Sequence, residues 1–194
     1  RSISMIRNFA HVIICLLLFT STSFASAENP LTDEQVSRFV ASLDGFSEFR
    51  DAMKDDEKIK NMEIDTRPKA GEKFQPYTRA VSELKEKYPN EHQKLSNIVK
   101  PHGFSATQWG NVADRVIIAY LAIKLSEEDP DTMAMLDGMD KSMLEMMPPE
   151  MRSQVEASFA MMETVKNAPE ADKDVVRKKK AELDNYFDEE QAKH

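Results

Sequence analysis

The sequence predicts an all-α fold, an irregular single-domain bundle of seven or eight helices around a buried central helix at about residues 105–125. Three observations point there. Apolar residues recur at i, i+3, i+4 and i+7 from Leu31 almost to the C-terminus, and period-2 alternation is never sustained. Capping-box signatures, a hydroxyl residue followed three positions later by Gln, stand at Thr32–Gln35 and Ser105–Gln108. Between Val112 and Leu125 the chain is apolar nearly all round, as a helix enclosed by other helices must be.

In the first helix Thr32 is the expected cap, Gln35 its reciprocal partner, and Leu31 with Val36 a hydrophobic staple. Val36, Phe39, Val40 and Leu43 form its apolar stripe, and Asp44-Gly45 is expected to end it, since glycine accepts the left-handed cap conformation. A second helix is expected from near Phe46, with Phe49 and Met53 on one face, fading into the charged stretch 54–60. Residues 63–75 lack periodicity, contain Pro68 and Gly71, and read as the longest and most mobile loop. Tyr77, Val81, Leu84 and Tyr88 mark a third helix stopped by Pro89. Asn90 is expected to cap a fourth that carries Leu95, Ile98 and Val99 and breaks at Pro101-His102-Gly103.

Ser105 and Gln108 open the central helix, with Phe104 and Trp109 as the staple. Asp129-Pro130 pairs a cap with a proline at the first helical position, and predicts a helix running to about Met147, before Pro148-Pro149. The next is expected to run to about Lys166, with Met151, Val155, Phe159, Met162 and Val165 inward. Pro169 opens the last, which carries Val175, Val176, Leu183 and Phe187 and frays at 191–194.

The N-terminus reads as a cleavable export signal. Met5 is the first candidate start, with Arg1 to Ser4 upstream of it. Arg7 supplies the positive region, residues 12–19 an apolar run, and Ala25-Ser26-Ala27 a small-residue cleavage site before Glu28. The apolar run falls short of the roughly 20 residues that a bilayer core requires. Cys15 sits inside that run rather than after it, which argues against lipidation. Cleavage of 1–27 leaves one helical domain, 28–194, with its location in the periplasm, or outside the cell if there is only one membrane. No stable membrane span is expected to remain.

The leader takes two arginines and no acidic residue with it, so the net charge of −8 becomes −10 in the mature chain. So acidic a chain is poorly suited to nucleic acid, whose phosphates require clustered positive charge. The one basic run, 177–180, is interleaved with Asp172, Asp174, Glu182 and Asp184 and reads as a solvated helix face. Cys15 is the only cysteine, so the mature chain has no disulfide, no thiol chemistry and no cysteine-ligated metal.

No catalytic constellation is legible, and no cofactor is expected. His92 falls on a predicted polar helix face and His102 in a turn, and neither has an i, i+4 partner for a helical zinc site. Asp129-x-Asp131 resembles the start of a calcium loop, but Met133, Ala134 and Asp140 stand where ligand, glycine and glutamate belong. With five glycines in all, and neither G-x-x-x-x-G-K nor G-x-G-x-x-G present, phosphate-cradling loops are not expected.

Methionine is the compositional anomaly, with nine of the twelve lying between residues 133 and 162. On a helical projection Met135, Met139, Met143, Met146 and Met147 share one half of the helix, opposite Asp137, Lys141, Ser142 and Glu145. Three uses compete. The thioethers can fill the core between the last helices, or line an adaptable groove for apolar partners. Alternatively, Met139, Met143 and Met147 can act as soft ligands for Cu(I), completed from another helix because one helix face cannot wrap an ion.

The run Leu31-Thr32-Asp33-Glu34-Gln35-Val36-Ser37-Arg38-Phe39-Val40-Ala41-Ser42 resembles the opening of an uncharacterised group of exported, all-helical bacterial proteins. Gly103-Phe104-Ser105 with Trp109, Ala119-Tyr120, and Phe159-Ala160-Met161-Met162-Glu163 are similar to later landmarks of that group. The resemblance implies an envelope location and one continuous domain, and brings no activity, cofactor or site residue. The expected function is non-catalytic binding of a protein or peptide in the cell envelope through the Met-rich face, with Cu(I) binding as the alternative.

Overall fold

The structure, a computed structural model, describes residues 29–55, 64–66, 72–128, 130–131 and 148–192. Among these the chain forms eight α-helices and no strand: α1 Asp33–Ala41, α2 Leu43–Asp55, α3 Pro76–Lys87, α4 Pro89–Val99, α5 Ala106–Glu128, α6 Pro149–Lys166, α7 Glu170–Arg177 and α8 Lys180–Ala192. A 3-10 turn, Lys100–His102, links α4 to α5. The leader, residues 63 and 67–71 of the 63–75 loop, and the methionine-bearing stretch 132–147 lie outside the described residues.

Local chemistry starts the helices where the sequence places it. The Thr32 hydroxyl accepts from the Gln35 backbone N–H (3.1 Å), and the Gln35 side chain accepts from the Thr32 N–H (2.9 Å). Ser105 and Gln108 make the same exchange at 3.2 and 2.9 Å. Each box satisfies backbone donors that a helix start would otherwise leave open. Both staples close, with Leu31, Val36, Phe104 and Trp109 all buried.

The 23-residue α5 is the centre of the molecule. Trp109, Val112, Val116, Ala119, Tyr120 and Ile123 face the main core, with Phe39, Val81, Leu84, Leu95, Val99, Val176 and Leu183 from five other helices. Ile118 and Ala122, on another side of α5, join Val165 and Ala168 in a second cluster flanked by Leu121, Leu125 and Met161. The β-branched run Val116-Ile117-Ile118 is an indifferent helix former, but burial worth roughly 1.5–3 kcal/mol per large side chain overrides that preference. An aromatic cluster fills one end of the core: Trp109 lies 4.7 Å from Phe46 and 5.8 Å from both Phe39 and Tyr77, centroid to centroid. The Trp109 Nε1–H donates to Ser42 Oγ (2.8 Å), which in turn donates to the Phe39 carbonyl (2.6 Å). The indole is thereby satisfied at full burial.

Four expectations need correction. Asp44-Gly45 does not end the first helix: the break falls at Ser42, and Gly45 lies inside α2. Its glycine serves packing instead, because a Cβ there would stand 2.9 Å from Ile98 Cγ2 on α4. Asn90 is not the cap of α4; that position is Tyr88, and Pro89 opens the helix at its first turn, where a missing N–H costs nothing. The helix opened by Pro169 is two helices, α7 and α8, separated by a turn at 178–179. The basic run 177–180 therefore straddles a helix break rather than lining one face. Arg177 pairs with Glu127 (3.1 Å), Lys178 with Asp33 (2.9 Å), Lys179 with Glu182 (2.7 Å) and Lys180 with Asp184 (2.8 Å).

The approach of α3 to α5 is set by Gly110. A Cβ there would meet Val81 Cγ2 at 3.1 Å, the Tyr77 carbonyl at 3.2 Å and Thr78 Cα at 3.3 Å. Two of these neighbours are backbone and cannot swing aside. Gly110→Ala is therefore expected to lower stability: overpacking costs about 1–3 kcal/mol, against a helix-propensity gain of about 1 kcal/mol. Thermal or urea unfolding of the variant checks this, and an unchanged or higher stability would show that the two helices can separate freely.

Candidate functional site

The residues singled out for binding, Met135, Met139, Met143, Met146 and Met147, lie outside the described residues, and so does the Cu(I) set Met139, Met143 and Met147. In sequence the arc is followed by the helix α6. There Val165 is buried, Met161 packs on the second cluster, and Val155, Phe159 and Met162 are only half-buried. The side of α6 expected to face inward thus retains partly open apolar surface.

The buried charges of the described helices serve the scaffold. Asp114 on α5 reaches the start of α3, where Gln75 provides no side-chain cap. Its Oδ1 accepts from the Tyr77 N–H (2.8 Å) and its Oδ2 from the Thr78 N–H (2.9 Å). A carboxylate from a distant helix thus occupies the N-terminus of α3, where the helix dipole and two open donors favour it. Asp172, in the first turn of α7 and 1% exposed, accepts from the Leu31 N–H (2.8 Å) and from both arms of the Arg115 fork (2.8 and 3.0 Å). Where α2 meets α8, Ser47 shares a hydrogen bond with the Tyr186 hydroxyl (2.9 Å) and donates to Glu190 (3.2 Å), while Arg50 pairs with the same glutamate.

The phenols of Tyr77 and Tyr120 are both held in the protonated state. Burial, reinforced by Tyr186 and Asp114 nearby, pushes the Tyr77 hydroxyl up to about 12, against a smaller opposing effect of Arg50. Tyr120 is raised as well, first by burial and then by its 2.7 Å hydrogen bond to Asp184. Asp184 is held below the usual carboxylate range by hydrogen bonds from Lys180 and Tyr120. Both phenols keep their protons at neutral pH, and the Tyr120 hydroxyl ties α5 to α8. Among the described residues no group of three or more His, Cys, Asp or Glu side chains could hold a metal ion. Nor is any described helix long and apolar enough to cross a membrane.

The histidines fall as follows. His102 closes the 3-10 turn before Gly103, whose φ of +78° ends the element in the left-handed region. His92 is not on an open polar face: it is half-buried, and its Nε2 is enclosed without a hydrogen-bond partner. His102 also lines a surface cleft of about 450 Å³ formed by Ser37, Arg38 and Ala41 of α1 with Pro101, His102 and Gly103. Arg38 carried no signal of this in the sequence, since a Glu34–Arg38 pair at i, i+4 reads as an ordinary exposed ion pair. Comparison with family models, characterised proteins and solved structures finds no match to this chain.

The pKa of Asp114 is raised by burial, against the opposing effect of its hydrogen bonds from Thr78 and Tyr77. The folded state therefore binds that proton more tightly than the unfolded chain does. Stability from this source is fully present below the ordinary carboxylate pKa and is lost as pH rises through the raised folded value. Asp114→Asn cannot titrate, so its unfolding free energy should lack this contribution. Urea titrations across the mildly acidic range should show wild type losing ground to Asp114→Asn as pH rises. Parallel pH profiles for the two proteins would contradict the raised value.

Proposed function

We propose that this chain is a non-catalytic binding protein of the bacterial cell envelope whose contact surface is the methionine-rich arc Met135, Met139, Met143, Met146 and Met147. The observation that carries this reading is the concentration of nine methionines in residues 133–162, in a pattern that places these five on one half of a helix and charge on the other. Thioether side chains are unbranched and polarizable, which suits a surface that accommodates differently shaped apolar partners. The leader pattern and the resemblance to exported helical proteins support the envelope location. The absence of mature-chain cysteines fits a domain held by packing and ion pairs alone. The half-buried Val155, Phe159 and Met162 of α6 would extend the apolar surface beyond the arc.

The test pairs two double variants. Met139 and Met143 both changed to Leu keep an apolar face, whereas both changed to Lys destroy it. With a photo-crosslinker at Met135 in intact cells, the Leu variant is expected to give the wild-type adduct. The Lys variant should lose it while unfolding at the wild-type temperature, since removing central interface contacts commonly costs about 2 kcal/mol or more of binding. If the Lys variant instead fails to fold, the methionines are core and the binding reading fails. Saturable Cu(I) uptake in calorimetry that Met139, Met143 and Met147 changed together to Leu abolishes would transfer the arc to metal binding.

A further inference from the structure

The cleft between α1 and the turn Lys100–His102 contains Arg38, whose side chain is 38% exposed and whose Nε finds no hydrogen-bond partner in the protein. The Arg38 guanidinium lies 5.0 Å over the Phe104 ring. Its Nε is buried and has no hydrogen-bond partner. The nearest carboxylate, Glu34, stands 3.8 Å from NH1, beyond hydrogen-bond reach. Gly103 makes room for the group, since a Cβ there would stand 2.6 Å from Arg38 NH1. The contrast with Arg115 is informative: there both fork arms meet Asp172 at 2.8–3.0 Å, as expected of a guanidinium that serves the scaffold. Arg38 has the seat without the acceptor. The side chains of Ser37 and His102, on the same cleft, likewise form no hydrogen bond among the described residues. Lys100, exposed beside them, has no carboxylate partner there. In a chain of net charge −8, a group of donors with one weak counter-charge is a local exception.

We propose that this cleft binds a carboxylate group, with Arg38 as its fork-shaped donor and Ser37 and His102 beside it. A planar guanidinium presents two parallel N–H groups that match the two oxygens of a carboxylate. Ala41 and Pro101 line the remaining wall, which suits a small apolar substituent next to the acid. A dianion such as phosphate fits less well, because the net negative charge of the protein opposes its second charge. This site is independent of the methionine arc.

The test is an NMR titration of the purified protein that follows Arg38 Nε–H and the Gly103 amide, with N-acetylalanine and its carboxamide as probes. Saturable shifts are expected with the acid, with a Kd on the order of 1 mM, and none with the amide. R38Q should abolish them. Should R38Q fail to fold, R38K keeps the charge without the fork and is expected to weaken binding about tenfold. An N-acetyl dipeptide acid that binds more tightly than N-acetylalanine marks a peptide C-terminus as the natural source, and equal affinity marks a small free acid. Equal shifts with acid and amide, no saturable shift, tighter binding of inorganic phosphate, or unaltered binding by R38K would each overturn the proposal.

Discussion

Asp172 is a charge shut away from water at the meeting point of three chain segments, and it is tolerable there only because three donors reach it. The Leu31 N–H arrives from the segment entering α1, the two Arg115 donors from the middle of α5, and the carboxylate itself from the first turn of α7. Leu31 and Asp172 are 141 positions apart, so the contact ties the start of the described domain to α7. A cysteine-free domain has no covalent means of doing this. A buried ion pair is a demanding substitute, since desolvation of both charges must be offset by geometry. Here the bidentate fork and the backbone donor provide that geometry, and the helices around it are fixed as a result.

With that closure set, α5 organises the rest by what it places on each side. Its apolar residues fill the main core and the smaller cluster with α6. Gly110 admits α3, and Asp114, one turn later, caps it. Arg115 then turns to Asp172 and α7. Tyr120 reaches Asp184 on α8 and stacks on Phe187 at 5.1 Å. One helix thus carries, within seven positions, the polar contacts that tie it to three others.

The parts of this architecture legible in the sequence are those decided by neighbours three or four residues away. Thr32 with Gln35, Ser105 with Gln108, and the enclosed character of 112–125 are such cases, and each element forms where its pattern stands. What stayed hidden depends on partners far along the chain. Asp44-Gly45 looks like a stop because nothing local shows that Ile98 needs the space. Asp114 is an anomalous charge in an apolar helix until α3 is seen to begin against it. The turn at 178–179 divides a stretch whose periodicity does not lapse. The cleft is of the same kind: Arg38 is an ordinary exposed helix residue until Phe104 and Gly103 are brought beneath it. The methionine arc, the clearest functional signal in the sequence, lies outside the described residues and rests on sequence pattern.

A double-mutant cycle on Asp172 and Arg115 measures whether this buried ion pair closes the domain. Asp172→Ala and Arg115→Ala are each expected to lower the unfolding free energy by about 3 kcal/mol or more, because each leaves the other charge buried and alone. The double variant should lose clearly less than the two combined, with a coupling of about 1.5 kcal/mol or more. Additive losses, or single variants within about 0.5 kcal/mol of wild type, would contradict the account and place the closure of the domain in apolar packing alone.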